Sequence, residues 1–186
     1  MSSFFKNLFT KYNTFTMQKP FTSISLSTGV ILGLGDVLEQ FIEKKSTKVP
    51  KPFEIRRVLN MSAYGLTIYG PFCSLWYTKW LPTLAPLTPT PALKQLSLKI
   101  LYDETLQSGF FYMSFLYTLT RLEGGSHQQG QDKVKRDFFR CYLADLAVWP
   151  WIQYLNFRYV PPHLQAIVVS SLTVFWGAYI SYVQHS

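Results

Sequence analysis

The chain has 186 residues, of which 48% are hydrophobic and only 15% charged. An ordinary soluble domain carries roughly 25% charged residues, so this composition excludes a soluble all-helical domain of one-domain length. The net charge is +8, but the basic residues are not laid out as a groove-reading helix, which excludes nucleic-acid recognition and fits anionic lipid and a positive-inside orientation instead.

Residues 2–17 place Phe4, Phe5, Leu8, Phe9, Tyr12 and Phe15 at helical spacing, with Lys6 and Lys11 elsewhere on the turn. No acid occurs before Asp36. This predicts an amphipathic N-terminal helix over 1–19, acting as an uncleaved mitochondrial address, as an interfacial helix, or as both. The remainder, 20–186, reads as one transmembrane helical domain. A first span covers Phe21 to Phe41, on which Ser25, Gly29 and Gly33 recur every four residues. Such a stripe lets another helix backbone approach closely, and Gly177 with its neighbours on the last span is the expected partner. Lys44, Lys45, Lys48, Lys51, Arg56 and Arg57 then crowd a loop whose one acid is Glu54.

A second span runs from Val58 to Leu81, with Gly65, Gly70 and Pro71 predicting a kink. Prolines 82, 86, 89 and 91 make a stiff connector. The third span, Ala92 to Leu122, starts polar, and Lys94 and Lys99 are expected to snorkel outward or lie beyond the apolar core. The segment from Glu123 to Asp132 reads as a flexible loop, with Asp132 capping a fourth helix that Pro150 bends. Whether 138–159 crosses fully is left open by the sequence. A break at Tyr159–Pro162 precedes the last span, and no Asp, Glu, Lys or Arg comes after Arg158. About 20 apolar residues suffice for a crossing. The fold class is therefore all-α: a polytopic membrane bundle of four to five bent helices with an amphipathic N-terminal helix.

Ionisable and amide groups inside such a bundle are candidate functional residues, because they cost free energy unless partnered. They are Asp36, Glu39, Asp103, Glu104, Asp145 and Arg158, with the amides Gln40, Gln107, Gln153 and Asn156. Two arrangements are open. In one, Asp36, Gln40, Asp103, Gln107, Gln153 and Asn156 surround a polar path for small solutes. In the other they pair with each other or with Arg56, Arg57 and Arg140 as interhelical glue. His127, His163 and His185 lack metal-ligand spacing, Cys73 and Cys141 read as buried reduced thiols, and Gly33-Leu-Gly35-Asp36 lacks the third glycine of a dinucleotide site. No catalytic, cofactor or metal site is predicted, and the chain is not expected to be an enzyme.

Trp149-Pro150, Gln153, Asn156-Phe157, Val160-Pro161, Trp176, Tyr179 and Ser181 resemble the signature of the Mpv-seventeen / peroxisomal membrane protein twenty-two family. Gly35-Asp36 with Gln40, Arg56-Arg57, Gly70-Pro71, Trp76-Tyr77 and Asp103 agree. Pro161-Pro162, Gly70-Pro71-Phe72 and Leu122-Glu123-Gly124 are most similar to its second Mpv-seventeen-like branch. The chain departs from the family at Gln165, Glu104 and Gly109, where Arg, Gln and Pro are usual. The resemblance implies residence in the mitochondrial inner membrane, or alternatively the peroxisomal membrane, and channel-like permeation of small solutes. The departures favour a second reading, a non-conducting accessory subunit of a large inner-membrane assembly. Expected partners are anionic lipids and a larger complex or a homo-oligomer.

Overall fold

The computed structural model describes the backbone of residues 3–46, 52–88 and 91–185 and the side chains of 7–45, 52–88 and 91–176. Among these residues the chain forms six helices and no strand: α1 (Ser3–Gln18), α2 (Pro20–Ser46), α3 (55–84), α4 (93–122), α5 (His127–Tyr159) and α6 (Pro162–His185). α1 doubles back at Lys19 and lies on α2, with Tyr12 OH 2.6 Å from Ser27 Oγ and Thr16 Oγ1 2.6 Å from Ser23 Oγ.

The helices α2 to α6 run alternately between two ends. At the basic end, Arg57 at the start of α3 meets the last turns of α2, and Arg56 Nη2 donates to Leu122 O at the end of α4 at 3.3 Å. At the proline end, Arg158 Nη1 donates to Pro91 O at 3.3 Å, and His163 Nε2 lies 2.8 Å from Asn13 Oδ1 of α1. Arg158 is thus an exposed end-of-helix group, not an interior one. α5, with 33 residues, runs the full distance between the ends and continues through Pro150.

The surface of this bundle is inverted relative to a soluble protein. On α2 the outward residues Val30 and Leu34 are 61% and 60% exposed, whereas the inward Asp36 and Glu39 are each 1% exposed. Leu26 and Leu38 extend the same outward stripe at four-residue spacing. Leu101, Met113, Phe139, Leu143, Leu155 and Phe175 do likewise on later helices. By length and composition one described segment, Pro20–Lys45, is long and apolar enough to cross a membrane.

The glycine stripe packs on α3, not on α6. A Cβ on Gly29 would lie 3.1 Å from Leu66 Cβ and from Ser62 O, and one on Gly65 would lie 2.9 Å from Thr28 O. α6 instead crosses α2 at Gly35, where Val174 Cα stands 3.6 Å from a Cβ. The surroundings of Gly177 lie outside the described residues. α3 prevails as the partner because it brings its own glycines, 65 and 70, to the same seam, giving backbone-to-backbone contact on both sides.

Three π-turns widen α3 and α4: Gly65–Tyr69, Trp76–Trp80 and Asp103–Gln107. The first two precede Pro71 and Pro82, whose rings would clash with the carbonyl four residues back in a regular helix. Each turn carries a threonine, Thr67, Thr78 or Thr105, whose hydroxyl takes the carbonyl of residue i−4 at 2.5–2.7 Å. The turns thus keep freed carbonyls hydrogen-bonded.

Two expectations for the loop before α5 are corrected. That helix starts at His127, not near Asp132, because Ser126 and Gln129 form a capping box: Ser126 Oγ accepts from Gln129 N at 3.2 Å and Ser126 N donates to Gln129 Oε1 at 2.6 Å. Gly130 is buried against the Tyr117 ring, so much of the expected flexible loop is packed helix.

Candidate functional site

The polar interior falls into three groups along the bundle. The first closes the basic end. Arg57 reaches Asp36 at 2.6 Å, Glu43 at 2.9 Å and Glu39 at 3.3 Å. Gln40 Nε2 donates to Asp36 Oδ2 at 2.8 Å, and Gln40 Oε1 accepts from Glu54 N at 2.7 Å, tying α2 to the chain entering α3. Burial alone disfavours the Arg57 charge, but hydrogen bonding to Glu43 and the fields of Asp36, Glu43 and Glu39 more than offset it and raise the pKa of Arg57. Of the arginines expected to serve as glue, Arg57 pairs with the acids of α2, and Arg56 donates to a backbone carbonyl.

The second group surrounds Asp103. Its carboxylate accepts from Trp76 Nε1 at 2.6 Å, from Tyr77 OH at 3.3 Å and from Gln153 Nε2. Gln153 Oε1 in turn accepts from Asn156 Nδ2 at 2.9 Å. Lys99 is buried and points inward, with Nζ 3.4 Å from Gln165 Oε1 and 4.5 Å above the Phe157 ring. The expectation that Lys99 snorkels outward is therefore corrected. An amide acceptor and an aromatic face replace water for its ammonium.

The third group lines a cavity between α3, α4, α5 and α6. Its wall includes Glu104, Asp145, Trp149, Gln107, Gln153 and Trp176. Tyr112 OH donates to Asp145 Oδ1 at 2.6 Å and accepts from Trp176 Nε1 at 2.9 Å. Gln107 Nε2 donates to Tyr69 OH at 2.5 Å. Glu104 and Asp145 stand within hydrogen-bond reach of each other and of Ser108, yet as carboxylates both oxygens of Glu104 and Oδ2 of Asp145 are buried without a settled donor among the described residues, and Nε1 of Trp149 is buried without an acceptor among them. A buried polar atom left this way costs about 1–3 kcal/mol, so three side chains converging on one space mark a place built for a guest.

The structure places Asp36 and Gln40 in the first group, Asp103, Gln153 and Asn156 in the second, and Gln107 at the third. Gln153 touches both of the last two. The partners that sequence reasoning does not assign are aromatic: Trp76, Tyr77, Tyr69, Tyr112 and Trp176. Glu104 and Asp145 stand among the interior acids, but nothing in their spacing reveals that they share a cavity.

The profile described as the Mpv17 / PMP22 family matches residues 120–181. The bovine protein named mitochondrial inner membrane protein Mpv17 is 33% identical over 162 residues, covering 86% of this chain and 88% of the relative. Protein SYM1 of Candida albicans is 27% identical over 97% of this chain and 98% of its own length. PXMP2/4 family protein 2 of Dictyostelium discoideum is 26% identical over 88% of this chain and 84% of its own length. No solved structure matches. Of the residues that carry the resemblance, Asp36, Gln40, Trp76, Tyr77, Asp103, Gln153, Asn156 and Trp176 stand in the interior described above, and with a third of its positions shared across most of the bovine relative, the chain belongs to the Mpv17 / PMP22 family and is a mitochondrial inner-membrane protein.

Proposed function

We propose that the chain is a polytopic bundle whose helices α2 to α6 cross the inner membrane and whose interior passes small solutes. Support for the crossing comes from the inverted surface, with leucine and valine outward and carboxylates inward. A bilayer core about 30 Å thick needs about 20 helical residues, and each of these helices has more. Support for passage comes from one observation: the cavity walled by Glu104, Asp145 and Trp149 offers unpartnered polar atoms inside the bundle. Purified protein in liposomes should pass a small solute or ion, read as swelling or as the response of a trapped ion-sensitive dye, above the level of empty vesicles; vesicles that stay impermeable to every solute and ion tried, protons included, end this reading.

The reading includes no catalysis, cofactor or metal. Exposed Arg56, Arg121, Lys135, Arg136 and Arg140 crowd the basic end, which suits anionic lipid headgroups on the matrix side. Cysteines introduced at Ser46 and Thr88 should accordingly react with impermeant reagent from opposite sides; labelling from one side would refute the topology.

A second reading, a non-conducting subunit of a larger inner-membrane assembly, is favoured by the Asp103 group, whose three donors plug the proline end. Native-gel sizing after gentle extraction separates the two, a small homo-oligomer fitting passage and a band of respiratory-complex size fitting the subunit. Asn156→Leu adds a test of the glue role. It removes the bond to Gln153, so the melting midpoint should fall by an amount equivalent to about 1 kcal/mol while any flux per folded molecule stays unchanged. Altered flux with unchanged melting would instead make Asn156 part of the path.

A further inference from the structure

We propose that the cavity between Glu104, Asp145 and Trp149 is a proton station: a water held by these three side chains carries a proton between the two carboxyl groups, and H⁺ is the species the bundle passes. The proposal names the solute for the permeation reading and rests on it.

Hydrogen-bond complementarity points to water. The unpartnered atoms are acceptors on Glu104 and Asp145 and a donor on Trp149. One water donates once to each carboxyl and accepts from the indole, and because Glu104 and Asp145 also stand within hydrogen-bond reach of each other, a proton shared between them serves the remaining Glu104 oxygen. Size agrees, because the free space at the centre of the cavity takes a water-sized guest.

Charge then selects the proton. Glu104 and Asp145 are 3% and 4% exposed, and among the described residues no Lys, Arg or His lines the cavity. The buried ammonium of Lys99 is engaged by Gln165 and the Phe157 ring. Two carboxylates facing one buried space without a counter-charge are costly. A proton on the water or on either carboxyl removes one of those charges within the space available. The step forms and breaks O–H bonds only. A proton enters on water, passes from one carboxyl to the other, and leaves on water, with nothing oxidised or reduced.

The cavity also has neighbours in both directions. Toward the proline end, Gln153 lines its wall and hydrogen-bonds Asp103 and Tyr77. Toward the basic end, Phe111 and Thr173 line both this cavity and a second one that reaches Glu39 beside Arg57. The acids therefore stand in file along the bundle, with the Phe111–Thr173 pair as the partition.

The test uses the full chain and two readouts. Liposomes loaded with a pH-sensitive dye, under a potassium potential set by valinomycin, should acidify with the wild type. Glu104→Gln and Asp145→Asn keep side-chain shape and should each cut the rate about a hundredfold, the low end for losing a positioned proton-transfer group. Glu104→Asp should restore part of it, and melting in detergent checks that each variant is folded. In detergent, the infrared carbonyl stretch of a protonated carboxyl should shift in heavy water, and its Glu104–Asp145 component should be lost in the double variant. Proton flux unaffected by both substitutions, or flux of sodium or potassium without protons, overturns proton passage. Absence of that band in the wild type, or a band of unchanged intensity in the double variant, overturns the station itself, a residual band from buried Asp103 being assigned by its loss on Asp103→Asn. A band that behaves as expected in a protein that conducts nothing supports the station and overturns only the permeation reading.

Discussion

Gly65→Ile is expected to prevent α2 and α3 from closing on each other, lowering stability by about 3 kcal/mol or more, the upper range for overpacking. Its Cβ would stand 2.9 Å from Thr28 O, 3.0 Å from Gly29 Cα and 3.1 Å from Gly29 N. All three are backbone atoms, so no side-chain rotation makes room. Gly33→Ala should do less, because its nearest obstacle is the Ser62 hydroxyl, the end of a side chain that can turn away. Gly109→Ala is the internal control: nothing lies within 4 Å of its Cβ, and alanine favours helix over glycine by up to about 1 kcal/mol. Thermal unfolding in detergent and yield of folded protein measure all three. Normal melting of Gly65→Ile would show that the α2–α3 seam has slack and would remove the packing claim.

Asp103→Leu should be comparably damaging for an electrostatic reason. Removing a buried carboxylate relieves a desolvation cost of several kcal/mol. Against this stand three hydrogen bonds to the carboxyl group, each contributing about 0.5–3 kcal/mol, and the donors on Trp76, Tyr77 and Gln153 would be left facing leucine, each at a cost of about 1–3 kcal/mol. The loss outweighs the relief, and a net destabilisation of about 3 kcal/mol is expected. Asp103→Asn keeps one acceptor for the indole and should fall between leucine and wild type. A leucine variant that melts at or above the wild-type temperature would show that the group is held for a purpose other than stability.

Much of this architecture can be read from side-chain spacing. The small residues of α2 at four-residue intervals do form a close seam, and Asp36 with Gln40, one turn apart, do hydrogen-bond. Spacing identifies a face of a helix, however, and not the helix opposite. It therefore leaves Gly29 and Gly33 free to be matched with α6, when α3 carries the glycines that meet them. The six polar candidates all face inward, which suggests one path, yet they divide along the bundle axis, a coordinate that periodicity does not carry. Ser126 and Gln129 have the spacing of a capping box, but the surrounding glycines suggest a loop; the buried contact of Gly130 with Tyr117 is tertiary and invisible to local rules. The charge of Lys99 alone turns it outward, and only the amide and aromatic partners contributed by α6 and α5 turn it in.

The π-turns bear on how this chain is aligned with its relatives. Each is one residue inserted into an α-helix: the turns before the insertion keep their facing, and the turns after it are rotated by one residue's step, about 100°. α3 takes two such steps and α4 one. Where a relative has a regular helix, the compensating gap belongs inside Gly65–Tyr69, Trp76–Trp80 or Asp103–Gln107, although gaps are conventionally pushed into loops. A gap moved to the proline connector pairs Tyr77 and Lys99 with outward-facing positions of the other protein, and interior residues then pass for variable ones.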